Sequence, residues 1–421
     1  MQNNKKRWMR LGTLAWIAMF FFVLMGSVYA GSWSFNRFES NSDWEDWDWD
    51  DDWDNNKSND TEVRYNRVEG VYLGYALKRD FFRKRYPNRP FLFGESGYSF
   101  GNKEFQYQAG LEKGFMDDFR LAFGAEYHHQ IETPDRWIIP QDENSLAAFL
   151  LKEDFYDYYL TEGYSFYITQ NITPIMTWSA SYHVDDMDSC KKTTNWALFG
   201  GRDKFRSNPY MSSGEIKSVK GEFTLDTRNS KTKTTHGWYA QAEYEQAGED
   251  FKGDYDFKRF VFDIRRYQSL GYGDGLDVRI RLGSGNGNLP WQRTFQLGGI
   301  STMRGFKYKE LSGGALVPGG NRMMLAQIEY RMGSQDLPDE IDMGLLEHFN
   351  LIVFSDFGWV ESVDRDWDLF EGFDNLTFDN LKNDIGIALA NRSGNVRFEI
   401  ARRTDTAEKP FVFYFRINRA F

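Results

Sequence analysis

The chain has 421 residues, a formal net charge of −11 and a mean hydropathy of −0.63. The acidic balance argues against a nucleic-acid partner, because neutralising phosphates requires clustered Lys and Arg. The hydropathy is too low for a bundle of membrane-spanning helices, but it does not exclude a transmembrane β-barrel, in which only alternate residues face lipid. The single cysteine, Cys190, excludes an intramolecular disulfide and a cysteine-based metal site.

The N-terminus has the pattern of a secretory signal peptide. Basic residues at positions 5, 6, 7 and 10 precede an apolar run from Leu11 to Val28, and small residues lead up to Ala30. We therefore predict a signal peptide over residues 1–30, cleaved after Ala30. The alternative is an uncleaved anchor helix, because an apolar run of about 18 residues can span a bilayer.

A segment rich in acid and tryptophan follows, from Asp43 to Asp54, with the sequence DWEDWDWDDDWD. Repulsion among its carboxylates opposes a packed core, so residues 31–61 are predicted to be a disordered tether. One alternative is a docking segment for a basic periplasmic or secreted protein, because tryptophan supplies contact area and the acids steer association. Calcium binding is another, although the spacing does not match an EF-hand loop.

From Glu62 onward the chain reads as strand segments of about ten residues with a period of two. In residues 104–112, for example, Phe105, Tyr107 and Leu111 alternate with polar residues, and the same pattern recurs at 237–245, 276–282 and 324–331. A soluble β-sandwich would alternate in the same way. An outer-membrane barrel, in contact with lipid, is favoured because the pattern runs to the C-terminus without a helix long enough to cover a sheet. Closure also pairs every strand edge.

Fifteen strand segments are recognisable: 64–78, 91–100, 103–113, 118–129, 162–171, 174–184, 214–226, 236–246, 257–268, 275–284, 320–332, 348–359, 382–391, 394–403 and 410–420. A barrel with both ends in the periplasm needs an even number of strands. We therefore predict an all-β, antiparallel transmembrane barrel over residues 62–421, with sixteen strands and one missed near the N-terminus. Fourteen strands are the alternative. Counting back from the C-terminus places the long connections 131–161, 185–213, 285–319 and 360–381 outside the cell.

The last segment alternates Phe411, Phe413, Phe415 and Ile417 with other residues, and the sequence ends at Phe421. This pattern resembles the signal by which outer-membrane barrels are recognised for assembly, which would be carried by Phe413, Phe415, Ile417 and Phe421. The alternative is the final strand of an ordinary soluble sheet.

The loop at 298–306 has the sequence GGISTMRGF, and it resembles the signature loop of the outer-membrane assembly-factor barrels, the BamA and TamA family (or bacterial surface antigen family). That family has a Gly-Gly pair, here Gly298 and Gly299, followed by Val-Arg-Gly-Phe or Tyr, and Met303 replaces the valine. Residues 226–229 with Gly237, and residues 354–360, resemble two further family motifs in the same order. The resemblance covers most of the chain from about residue 62.

The resemblance implies that the loop folds back into the barrel lumen and that its arginine pairs with acids on the next two strands. On this chain the lock would consist of Arg304, Gly305 and Phe306 with Glu329 and Asp356. The residue pattern agrees for Glu329, which lies on the polar face of its segment, and a guanidinium suits carboxylates. The alternative is a solvated Arg304, with acids that merely line the lumen.

Family members usually carry periplasmic POTRA modules ahead of the barrel, and the stretch between Ala30 and Glu62 has room for none. We therefore expect the substrate-receiving part of the family mechanism to be absent here or supplied by a partner. No nucleophile, metal-ligand or phosphate-binding motif is found, so we predict no enzyme, catalytic residue, metal or cofactor.

Two functional hypotheses remain. In the first, the barrel assists insertion or translocation of proteins, or of lipids, at the bacterial outer membrane. The resemblance implies a lateral gate between the first strand, near residues 64–70, and the last, 411–421. In the second, the chain is a structural or pore-forming barrel, or anchors a periplasmic or secreted partner through residues 43–54.

Overall fold

The computed structural model describes residues 59–86, 88–116, 120–199, 201–231, 234–248, 251–271, 273–313, 319–333, 349–391, 394, 396–406 and 410–421. The predicted signal peptide and the acidic segment 43–54 lie outside these residues. Among the helices of the described ranges, none is long and apolar enough to cross a membrane.

The described residues form sixteen strands in one antiparallel sheet, and each strand pairs with its neighbours in the sequence. The strands are β1 (Asn59–Asn66), β2 (Gly70–Leu77), β3 (Pro90–Ser99), β4 (Glu104–Phe115), β5 (Leu121–Glu132), β6 (Tyr159–Thr173), β7 (Met176–Ser189), β8 (Gly214–Asp226), β9 (Gly237–Ala247), β10 (Phe257–Gly271), β11 (Asp274–Gly287), β12 (Arg322–Met332), β13 (Phe349–Glu361), β14 (Lys382–Asn391), β15 (Arg397–Arg403) and β16 (Val412–Arg416). The predicted barrel of sixteen strands is confirmed.

Among the described residues, two α-helices lie in the connections between strands. Helix α1 (Arg79–Arg85) follows β2, and helix α2 (Gln141–Leu151) lies in the long connection between β5 and β6. Two short 3-10 helices, Trp291–Arg293 and Phe373–Asn375, lie in the connections after β11 and β13. The longest described connections are the four that the sequence predicted.

The strand missed by the sequence analysis is β1, which runs from Asn59 to Asn66 and ends inside the predicted segment 64–78. That segment was interpreted as one strand, but it contains the turn between β1 and β2, where Gly70 has a φ of 64°. The sequence did not reveal this turn, because the apolar residue Val68 continues the alternation of apolar and polar residues. In the structure Arg67, Val68 and Glu69 are all buried. β1 begins at Asn59, so the barrel starts three residues earlier than the predicted boundary at Glu62.

The apolar faces of the strands point outward and the polar faces point into the barrel. On β4, Phe105 is 56% exposed and Leu111 50%, whereas Gln106 and Glu112 are buried. A soluble sandwich would bury the phenylalanine and leucine instead. The outward apolar side chains therefore form the surface that faces lipid.

The C-terminal residues leave the sheet after β16. Phe413 and Phe415 lie on the outer face, where they are 61% and 53% exposed. The predicted strand 410–420 ends early, at Arg416, and Arg419 donates to the carbonyl oxygen of Thr234 at 2.5 Å. The ring of Phe421 lies 6.5 Å from that of Tyr267, a buried residue of β10. Ile417 and Phe421 therefore do not continue the outward row that begins with Phe413 and Phe415.

Candidate functional site

The connection between β11 and β12 turns sharply at the glycine pair. Gly298 and Gly299 have φ values of 125° and 91°, a region that L side chains rarely adopt. The N–H of Gly299 donates to the carbonyl oxygen of Met303 at 2.9 Å, and that of Gly298 to Oγ1 of Thr302 at 3.0 Å. A Cβ on Gly298 would lie 2.3 Å from the carbonyl oxygen of Lys307. The glycine pair thus permits the tight turn that presents Arg304.

Arg304 forms a bidentate ion pair with Asp356 of β13. Its Nε and Nη2 donate to the two carboxylate oxygens at 2.8 and 2.7 Å, and its backbone N–H also donates to Asp356 at 3.2 Å. Both side chains are fully buried. Because the guanidinium fork matches a carboxylate, this arrangement fixes both the position and the orientation of the arginine.

Glu329 of β12 is shared by two arginines. It accepts from Nη1 of Arg304 at 2.5 Å and from Nη2 of Arg397, on β15, at 3.0 and 3.1 Å. Glu399 of β15 lies 2.7 Å from Nε of Arg397 and 3.5 Å from Nη1 of Arg304. The charges therefore alternate in a buried network, in which each ion compensates more than one neighbour.

One face of the Arg304 guanidinium is covered by an aromatic ring. Its Cζ lies 3.4 Å from the ring centroid of Phe354, which faces inward on β13. The inward side of β13 is thus partly apolar, because Phe354 also packs with Ile352 and with alanines of β14 and β15. A cation above such a ring is attracted by its quadrupole, more strongly when desolvated.

The two residues after Arg304 are also held by the barrel wall. The N–H of Gly305 donates to Asp384 of β14 at 2.9 Å, and a Cβ there would lie 2.5 Å from the backbone nitrogen of Arg403. Phe306 is fully buried in a cluster with Met303 and inward residues of β12, and Arg403 lies over its ring at 4.1 Å. The Arg-Gly-Phe run therefore contacts four consecutive strands, β12 to β15.

A second ion cluster holds the same connection to other loops. Lys309 pairs with Asp135 at 2.8 Å and Asp157 at 2.6 Å, and Arg67 of the β1–β2 turn pairs with Asp157 at 3.1 Å. Burial raises the pKa of the Asp157 carboxyl, but the charges of Lys309, Arg206 and Arg67 outweigh this and hold the pKa well below its ordinary value. Asp157 is thus an anion that joins its own loop to three others.

The structure brings all five residues of the predicted loop lock together. Sequence reasoning missed four wall residues that contact it: Asp384, Arg397, Glu399 and Arg403. The sequence did indicate that these residues face inward, because along β14 and β15 they alternate with apolar residues that face outward. Without the strand register, no partner could be assigned to them. Among the described residues, no group of His, Cys, Asp and Glu could hold a metal ion.

Comparisons with known proteins agree with this geometry. Residues 95–421 match the Omp85 superfamily domain. The chain is 31% identical over 189 residues to the outer membrane protein assembly factor BamA of Nitratidesulfovibrio vulgaris, which covers 42% of this chain and 21% of that protein. The chain therefore spans about a fifth of the length of this curated relative.

The fold is similar to the crystal structure of BamA from Haemophilus ducreyi lacking POTRA domains 1–3. The TM-score is 0.53 at 14% identity, and the match covers 85% of this chain and 69% of that one. The resemblance to BamA and TamA barrels is thus confirmed. The chain belongs to the Omp85 superfamily and is a β-barrel of the bacterial outer membrane.

Proposed function

We propose that this barrel assists the insertion or translocation of proteins at the outer membrane, and that the seam between β1 and β16 is the site at which a substrate strand pairs. The observation that carries the proposal is the sheet order. Ladders join each strand to the next from β1 to β16, but within the described residues no ladder joins β1 to β16. Edge strands with unpaired backbone groups accept an added strand.

The last strand is also weakly held on its paired side. β15 and β16 share five registered pairs, from Arg397↔Arg416 to Ala401↔Val412, whereas β10 and β11 share fourteen. Each registered pair lost removes backbone hydrogen bonds and cross-strand contacts. The sequence analysis put the first strand of the seam near residues 64–70; residues 67–69 form a turn, so in this proposal that strand is β1.

In this proposal the loop lock gives the seam a firm support. Arg304 and Gly305 contact the four strands that precede β16, so they hold that part of the wall in register. The same loop fills part of the lumen, which is why we favour protein insertion over solute conduction. The carboxylates of Glu329 and Asp356, on the barrel wall, act as fixed structural partners for Arg304.

Residues 43–54 would serve as a docking segment for a basic periplasmic protein that delivers substrates. Their eight acids and four tryptophans support this role by charge and by contact area. A pull-down with residues 31–60 as bait tests it, and the same peptide with its tryptophans replaced by alanine is the control.

Depletion of the protein in cells tests the main proposal. We expect other outer-membrane barrels to be lost from the membrane while lipoproteins remain. Intact barrels combined with altered uptake of small solutes would contradict the proposal and support a pore-forming role instead.

A further inference from the structure

Helix α2 packs against the edge of β1 that faces the seam. Oγ of Ser145 accepts the backbone N–H of Tyr65 at 2.7 Å. Because Tyr65 lies opposite Val71 of β2 but donates to α2 instead, its N–H points away from the β1–β2 ladder. The ring of Tyr65 also lies 5.6 Å from that of Phe149, and Ala148 is buried beside it.

The same turn of α2 binds the end of β16. Glu143 accepts from Nε and Nη2 of Arg416 at 3.3 and 3.2 Å, and from the backbone N–H of Ile417 at 3.0 Å. Arg416 is the last residue of β16, and both charged side chains are buried. One helical turn therefore supplies acceptors to backbone donors on both sides of the seam.

The two sides are held with different strength. On the β1 side, the connection that contains α2 also binds the β1–β2 turn, through ion pairs of Arg67 with Asp154 at 2.9 Å and Asp157 at 3.1 Å. The β7–β8 connection adds backbone hydrogen bonds from Leu198 and Phe199 to the end of α2. On the β16 side, the contacts of α2 described above come from Glu143.

Arg416 has a second partner that does not belong to α2. Its Nη1 donates to Oγ of Ser301, in the loop that carries Arg304. If Glu143 withdraws, the guanidinium keeps this hydrogen bond, and the cost of leaving a buried charge unpaired is reduced. The contact across the seam is thus built so that it can be broken on the β16 side.

We propose that the turn Glu143–Ser145 is a latch that closes one end of the β1–β16 seam, stays with β1 and releases β16 when a substrate strand pairs at the seam. This inference rests on the proposed insertion function. Glu143 occupies the backbone N–H of Ile417, a position at the end of β16 that an incoming strand would use, so a substrate has to displace Glu143 from it. It would also protect the seam from unwanted strand addition.

Cross-linking tests the latch in the full chain, with Cys190→Ala as the background. Glu143→Cys with Ile417→Cys joins α2 to the end of β16, through oxidation or a short bis-thiol reagent. The control pair, Phe149→Cys with Trp196→Cys, joins α2 to the β7–β8 connection through two exposed side chains whose rings lie 5.2 Å apart. The assay is the folding rate of a urea-denatured outer-membrane barrel in vesicles that contain the protein.

We expect the α2–β16 cross-link to lower this rate about tenfold or more, with recovery after reduction, because a covalent bond prevents release. The control cross-link should change the rate less than about twofold. Equal rates for the oxidised and reduced α2–β16 pair would overturn the latch. Inhibition by the control cross-link would show that α2 does not stay with β1.

Hydrogen exchange tests the contact independently of insertion activity. In Glu143→Gln, the amide of Ile417 should exchange about fivefold faster, because its charged acceptor is lost, while the amide of Tyr65 stays within about twofold. Unchanged exchange at Ile417 would refute the latch. Absence of insertion activity in the wild-type protein and in both reduced pairs, with the expected exchange pattern, would instead refute the proposed function and leave the seam contact standing.

Discussion

The wall formed by β10 and β11 and the seam between β1 and β16 are held by different kinds of contact. Within the wall, Asp263 pairs with Arg265, Arg279 and Arg281, all on the same two strands, at 3.1, 2.6 and 2.7 Å. At the seam, Tyr65 and Arg416 bind side chains of α2, which lies in a connection between strands. The wall is therefore stabilised by contacts within its own strands, whereas the seam depends on a segment outside the sheet.

The largest effect is expected where the loop is pinned to the strands beside the seam. Arg304→Asp places a new carboxylate among Glu329, Asp356 and Glu399, so we expect a loss of at least about 3–5 kcal/mol and little assembled barrel. The measurement is the fraction of protein that is folded in the outer membrane, by heat-dependent gel mobility.

Exchanging the two charges tests the direct ion pair between Arg304 and Asp356. Arg304→Asp combined with Asp356→Arg should restore part of the assembly lost in Arg304→Asp alone. Recovery is expected to be incomplete, because Asp356 also accepts from the backbone of residue 304 and Glu329 loses one of its two arginine partners. If the double variant assembles no better than the single one, the direct pairing is not what stabilises the loop.

Breaking the wall should lower global stability without opening the seam. Asp263→Asn leaves three arginines around a neutral side chain and should cost about 3 kcal/mol. Urea unfolding in detergent micelles measures the loss. Exchange at the Tyr65 and Ile417 amides should remain as in the wild type, and faster exchange there would show that wall and seam are not independent.

Breaking the seam on the β1 side should change amide exchange at the seam and leave global stability almost unchanged. Ser145→Ala removes the acceptor of the Tyr65 N–H and should cost about 1 kcal/mol locally, with faster exchange at Tyr65 and almost unchanged global unfolding. Leu146→Ala, on the exposed side of α2, is the control. Similar exchange in both variants would mean that Ser145 does not protect the edge.

The smallest effect concerns the outward aromatic row on β16. Phe413→Ala should slow assembly of the newly exported barrel by a few-fold, because its ring faces lipid and remains available for recognition. Phe421→Ala should slow assembly less, since that ring lies near Tyr267. Pulse-labelling of the folded form compares the two variants, and the reverse order would assign recognition to the last residue.

Much of the fold could be predicted because alternation is a local property of the sequence. In the middle of strands such as β4 and β14 the outward residues are apolar, so the position of these strands and their lipid side could be predicted directly. The β1–β2 turn could not, because Val68 is an apolar turn residue buried by loops far away in the sequence. Likewise, β16 was predicted too long, since the partners of Arg419 are at residues 234 and 277.

The loop lock was predictable for a different reason, namely its motif. Arg304, Glu329 and Asp356 were found through the family resemblance, and period-two alternation supported Glu329. Glu143 and Arg416 are separated by more than half of the chain, and neither residue belongs to a recognisable motif. Nothing local in α2 indicates that one of its acids lies in a barrel seam.

The shared use of Glu329 by Arg304 and Arg397 restricts how this protein can change during evolution. Asp356, Arg304, Glu329, Arg397 and Glu399 form a chain of alternating charges, so replacing any one of them changes the charge balance of all its neighbours. A neutral path between two functional sequences would have to change several members at once. Such positions are expected to vary together among related barrels, or not at all.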